Sequence, residues 1–255
     1  QFGISYISSF LKKHYHHTRL IILSRILGKK NYNIIDRYFK KFYPKLICFT
    51  AVSSEYCFIR SMAKYIKNHY PDIYFLIGGP HVSLNPQEVS SDEFDALCIG
   101  EGENPALELV SQLEKGMSPS GIPNLWIKKG SVIEKNLPRP FLQDLDSLPF
   151  PDIEMWQEWI PEGSGLTYPV LLARGCPFEC TYCCNHVLKK ITSGTYVRFR
   201  SPDNITEEIK EIVAKYPIVE NIYLEVETIG VNKEWAMELC SRLQRLNAML
   251  ERPLS

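Results

Sequence analysis

The sequence has 255 residues, 29 Lys+Arg against 29 Asp+Glu for a formal net charge of zero, and 45% hydrophobic residues. Such a length holds one large or two ordinary domains, each with its own core, and the balanced charge argues against a surface built mainly for nucleic acid. No apolar run is long enough to span a membrane, and QFGISYISSFLKKHYHH lacks the order of charged, apolar and small residues of a secretory signal, so a cytosolic, cytoplasmic protein is expected.

FGISYISSFLKKH has helical spacing and no strand before it. A doubly wound domain usually opens on its central strand, and the chain starts with Gln rather than Met, so a cut N-terminus is expected. His14, His16 and His17 follow on a charged helix end and read as solvated. From 18 to 102, short apolar runs alternate with helical segments: TRLIILS, a helix near 33–43, LICFTAV, a helix near 54–69, IYFLIGG and ALCIGEG. Such runs read as strands buried on both faces, which predicts an α/β, doubly wound, Rossmann-like parallel sheet. In the 54–69 helix, Ile59, Met62, Ala63 and Ile66 share the face that covers it. NLWIKKGSVIEKN reads as a hairpin around Lys129-Gly130. The proline-dense LPRPFLQDLDSLPFPD reads as an extended connector, which divides the chain into a first domain at 1–137, a linker at 138–167 and a second domain at 168–255. The second opens another β/α series: TYPVLLARG as a strand, DNITEEIKEIVAKY as a helix, VENIYLEV as a strand and NKEWAMELCSRLQRLNAML as a helix.

Of the eight cysteines, four fall within nine positions in RGCPFECTYCC, directly after a predicted strand. In a reducing compartment a cluster of that density points to metal or redox chemistry rather than disulfides. Cys176, Cys180 and Cys183 stand in C-x-x-x-C-x-x-C spacing, and thiolates suit iron–sulfur clusters and zinc. Three ligands on a four-iron cluster leave one iron open for a substrate or cofactor. Alternatively, Cys184 or His186 completes a four-ligand structural zinc site. Cys48, Cys57, Cys98 and Cys240 read as small core hydrophobes.

RGCPFECTYC resembles the signature of the radical S-adenosylmethionine (SAM) superfamily. The resemblance implies a 4Fe-4S cluster on Cys176, Cys180 and Cys183, SAM chelated to its open iron, and Tyr182 beside the adenine. Cys184 has no role in that pattern and is expected to be structural. Downstream, a D-D-x-F stretch of similar proteins is here Val226-Glu227-Thr228-Ile229, which leaves Glu227 as the carboxylate expected near the cofactor's amino group. The alternative for Glu227 is a solvated acid at a strand end.

In the first domain, FLIGGPHVSLNPQEV and FDALCIGEGENPALELV set glycines at two strand ends, where open parallel sheets bind ligands. Read alone, Gly78-Gly79-Pro80 is as well explained as a tight turn. The order of these stretches ahead of the cysteine motif resembles a subfamily with a cobalamin-binding domain before a TIM-like radical SAM barrel. By position, Ser53, Ser54, Gly78, Gly79, Pro80, Gly100, Glu101 and Gly102 are the cobalamin candidates. No D-x-H-x-x-G motif is present, and His81 is expected to be a turn residue rather than a cobalt ligand.

The resemblance implies a cobalamin-dependent radical SAM enzyme, a methyltransferase acting on an unactivated carbon of a small-molecule or natural-product substrate. Its electron donor would be a flavodoxin or ferredoxin. The rivals are a radical SAM enzyme with a vestigial corrin domain and a structural zinc protein. Two β/α units are too few for the barrel, so the sequence is expected to be a fragment, inactive alone and poorly soluble, with N-terminal barrel units only.

Overall fold

The computed structural model describes residues 1–160 and 167–255; the last part of the 138–167 linker, 161–166, lies outside the described residues. Helices α1 (Phe2–Lys13) and α2 (Lys30–Phe42) precede strand β1 (Leu46–Thr50). Then come α3 (Ser53–His69), β2 (Tyr74–Gly78), short helices α4 (Pro80–Leu84) and α5 (Pro86–Val89), β3 (Ala96–Cys98) and α6 (Glu103–Glu114). The hairpin of β4 (Leu125–Lys129) and β5 (Val132–Lys135) closes the first unit.

One sheet runs in the order β1-β2-β3-β4-β5, parallel from β1 to β3 and antiparallel through the hairpin. Strand alternation divides β2 between two cores. Phe75 and Ile77 pack with α2 and α3 through Ile35, Phe39, Met62, Ala63 and Ile66, while Leu76 packs with Ala106 and Leu109 of α6. Both faces of the sheet are therefore covered, the reason β2 carries no polar side chain in its interior.

TRLIILS does not become a strand. Residues 18–24 run beside α2, with Arg19 over the Phe42 ring, Ile21 and Leu23 against the first core, and Ser24 bonded to Asn31. An apolar β-branched run buries itself equally well against a helix, and nothing in its composition selects a ladder. The scattered cysteines divide as well. Cys98 is buried in β3, whereas Cys48 on the edge strand β1, Cys57 on α3 and Cys240 on the last helix are exposed.

The second unit holds β6 (Thr167–Leu171), β7 (Ala173–Arg174), α7 (Asn185–Leu188), β8 (Arg198–Phe199), α8 (Pro202–Lys215), β9 (Asn221–Glu225) and α9 (Lys233–Met249). β6 and β9 are parallel neighbours joined through α8, while β7 and β8 form a short antiparallel pair. Helix α8 starts where Ser201 Oγ accepts from the Asn204 amide at 3.0 Å, with Pro202 as its first residue. Its Ile205, Ile209 and Ile212 pack with Val170, Leu172 and Leu239.

The connector between the units is docked along its described length. Phe141, Leu145 and Leu148 are buried. Asp152 accepts from Ser8 Oγ at 2.5 Å and pairs with Lys12 at 2.7 Å, and Trp156 Nε1 donates to Ser5 Oγ at 2.8 Å, which ties the connector to α1.

Candidate functional site

The carboxyl ends of β1, β2 and β3 form one rim of the first unit. Thr50, Val52, Ser53, Ser54 and Pro80 are exposed there, and Gly78, Gly79, Gly100, Glu101 and Gly102 are half-buried. Gly79 has φ +98, and a Cβ on it would lie 2.8 Å from the Ala51 carbonyl oxygen. Only glycine lets β2 fold back here, where the Ala51 amide donates to the Gly78 carbonyl and the His81 amide to the Ala51 carbonyl. Ser53 Oγ lies 3.0 Å from His81 Nδ1. His81 is no turn residue: it is buried in α4 against Tyr56, and its Nε2 is enclosed without a partner. An enclosed nitrogen is not offered to the open rim.

The cysteine loop leaves β7 through Gly175, whose φ is +88. A Cβ there would stand 2.2 Å from the Tyr196 carbonyl oxygen, so the turn admits no side chain. The Cys183 amide donates to the Cys180 carbonyl at 3.0 Å, and Glu179 pairs with Lys189 across the loop. Cys176 and Cys183 are half-buried, Cys180 and Cys184 exposed, and all are free thiols. Cys184 therefore fills no core. Among the described residues, no group of three or more His, Cys, Asp or Glu side chains converges as a ready-made metal site. The donor set itself, three soft thiols on a short loop, is of the kind that holds a cluster.

Tyr182 is 91% exposed at the loop, and Phe178 beside it is also exposed. Glu227 is exposed just past the carboxyl end of β9. Tyr196, whose carbonyl closes the turn at Gly175, donates from its hydroxyl to Asn185 Oδ1 at 2.9 Å. Burial pushes its phenol up to about 12, and the nearby anionic forms of Cys184, Glu227 and Cys176 add to the shift against the pull of Arg198.

The two units meet at this site. Helix α4 packs on α7, directly after the cysteines, and a Cβ on Gly100 would lie 3.4 Å from Ile191 Cδ1. The Phe141 amide donates to the Ser193 carbonyl, and Thr192 Oγ1 to the Arg139 carbonyl at 2.7 Å. Glu101 turns its carboxylate away from the rim. It accepts from Arg174 at 3.1 Å, Arg198 at 2.8 Å and the Leu142 amide at 2.8 Å. Burial alone would lift its carboxyl, but the guanidiniums of Arg174 and Arg198 outweigh burial and hold it below the ordinary value. Glu103 accepts from Arg174 at 2.6 Å. Sequence reasoning missed Arg174, Arg198, Glu103 and Tyr196. Only the doubled acid of GEGE hinted at a pairing.

A family model described as the B12 binding domain matches residues 1–110. The first unit is a B12-binding domain. The chain is 28% identical over 247 residues to an uncharacterized methyltransferase of Pyrococcus horikoshii, a match covering 95% of this chain and 52% of that protein. It is 29% identical over 132 residues to the cobalamin-dependent radical SAM methyltransferase TokK of Streptomyces tokunonensis, covering 48% of this chain and 19% of TokK. The chain thus spans about half the length, or less, of these curated relatives. Among solved structures, the radical SAM methyltransferase TsrM of Kitasatospora setae, with cobalamin and a [4Fe-4S] cluster bound, superposes with TM-score 0.73 at 14% identity, over 97% of this chain and 48% of TsrM. OxsB, a cobalamin-dependent radical SAM enzyme solved with aqua-cobalamin and SAM, superposes with TM-score 0.73 at 18% identity, over 100% of this chain and 35% of OxsB. At these identities the superpositions establish a shared fold, in which the B12-binding domain precedes the unit that carries the cysteines.

Proposed function

We propose that the chain acts as a cobalamin-dependent radical SAM enzyme that methylates an unactivated carbon of a small-molecule substrate. The observation that carries this reading is the packing of the B12-binding domain's strand-end loops on the segment just after the cysteines, where α4 meets α7 and Gly100 meets Ile191. When bound, the cluster supplies the electron that splits SAM to a 5′-deoxyadenosyl radical, and cobalamin supplies the methyl group.

The chain's own part is to bind, orient and exclude water. Cys176, Cys180 and Cys183 would hold the cluster as thiolates. Tyr182, almost fully exposed, offers an aromatic face to adenine, and Glu227 offers a carboxylate to the SAM ammonium. Ser53, Ser54, Gly78, Gly79, Pro80, Gly100 and Gly102 would line the corrin side. Glu101 contributes backbone there, since its carboxylate is engaged by the arginines. A flavodoxin- or ferredoxin-like protein would deliver the electron.

The test is cobalt and iron per chain with an absorption spectrum, after anaerobic purification from cobalamin-fed cells and cluster reconstitution. About one cobalt and four irons are expected. Cys180→Ala is expected to lose most of the iron while keeping the cobalt. Iron without cobalt would move the reading to a vestigial corrin domain, and zinc in place of iron to a structural site.

A further inference from the structure

We propose that Glu101 and Glu103, the acids of the GEGE loop of the B12-binding domain, are positioning residues for the cysteine loop and act through Arg174. The inference rests on reading that loop as the cluster site, and it gives the two glutamates a task other than contact with cobalamin.

Arg174 and Arg198 face each other across the β7–β8 pair. Two guanidiniums so placed repel unless a carboxylate stands between them. Glu101 supplies it, with Oε1 shared by Arg174 at 3.1 Å and Arg198 at 2.8 Å while Oε2 takes the Leu142 amide. Glu103 takes the other arm of Arg174 at 2.6 Å. Glu103 and Arg198 are 5% and 6% exposed, so these charge-assisted bonds are little screened by water. Glu101 lies in the loop between β3 and α6 of the B12-binding domain and Glu103 is the first residue of α6, while both arginines belong to the second unit.

What makes the latch act on the cysteines is the residue between them. Gly175 separates Arg174 from Cys176, and the Tyr196 backbone fills the space where its side chain would be. The link has no slack, so a displacement of Arg174 reaches Cys176. Arg174 also lies over the Tyr6 ring at 5.0 Å, which fixes the guanidinium from its other side.

The test compares wild type, Glu101→Gln, Glu103→Gln and the double variant as full chains, first without cofactors. Alkylation by iodoacetamide is followed by mass spectrometry at each cysteine. Exposed Cys240 serves as reference and buried Cys98 as reporter of unfolding. The double variant is expected to react about tenfold faster at Cys176, with Cys98 still protected and Cys240 unchanged. Charge-conserving Glu103→Asp is expected to restore part of the protection. Unchanged Cys176 reactivity would overturn the proposal, as would Cys98 opening together with Cys176, which marks general loosening.

After reconstitution, Glu103→Gln, which lies outside the corrin candidates, is expected to lose iron to a chelator faster than wild type and to bind cobalamin normally. Weakened cobalamin binding with unaltered cysteines would assign the glutamates to the corrin instead and overturn the proposal. If wild type itself takes up no iron, the cluster reading fails, while the alkylation comparison still decides the latch.

Discussion

At the scale of single residues, the site depends on backbone positions that tolerate one residue type. Gly175 combines φ +88 with a Cβ position 2.2 Å from a main-chain oxygen, and main chain cannot rotate aside as a side chain can. Gly175→Ala therefore faces about 1–3 kcal/mol of conformational strain before the clash is relieved. Relief requires moving Tyr196, whose hydroxyl holds Asn185 at the start of α7. The expected outcome is a chain whose first unit keeps its cobalamin affinity while iron loading falls several-fold, read from iron analysis and corrin absorbance on one sample. Iron loading at the wild-type level would mean that the loop does not depend on this turn. Gly130 makes the contrast: it has a positive φ but nothing within 4 Å of its Cβ position, so replacement there strains the hairpin turn alone.

At the scale of elements, Arg200 and Glu208 form a buried pair, 2% and 1% exposed at their side chains. Arg200 also donates to the Leu171 carbonyl at 2.8 Å and to Asn204 Oδ1 at 2.7 Å, which fastens α8 to β6. Burial raises the Glu208 carboxyl despite the countercharge. Arg200→Met would strand that carboxylate, at an expected cost on the order of 3–5 kcal/mol. The double variant with Glu208→Leu is expected to recover most of it, and urea midpoints decide between them. If the double variant were no more stable than Arg200→Met, the pair would not be the source of the loss. Glu208 also marks where sequence reading stops. The helix of DNITEEIKEIVAKY was legible in the sequence, as were the apolar runs of β1 to β3 and the hairpin at Lys129-Gly130, yet nothing in that stretch gives a glutamate beside Ile205, Ile209 and Ile212 a reason to be buried. Its reason is Arg200, which lies in the short link between β8 and α8 and folds back onto the helix. The cysteine spacing announced a site locally, while Arg174 and Glu101 are 73 residues apart and become partners only when the two units dock. TRLIILS failed for a related cause: whether an apolar run pairs in a ladder depends on what lies beside it.

For the whole molecule, the two notable carboxyls respond to acid in opposite senses, which predicts the order in which the structure opens. Glu101 is held below its ordinary value in the folded chain, so it contributes stability at neutral pH that is lost as pH falls through its folded pKa. Glu208 is raised, so it takes up its proton first, and that uptake favours the folded second unit over the unfolded chain. Acid below the ordinary glutamate range, about 4.3, should therefore release the contact between units before it unfolds α8. Amide hydrogen exchange reads this directly. The Leu142 amide, bonded to Glu101, and the Phe141 amide beside it, bonded to Ser193, are expected to lose protection while amides of α8 keep theirs. In Glu101→Gln the same segment should exchange quickly already at neutral pH and show little further change with acid. Early exchange in α8 with the 141–142 amides still protected would mean that the units are joined chiefly by groups that do not titrate there, such as the buried Phe141, Leu145 and Leu148 of the connector.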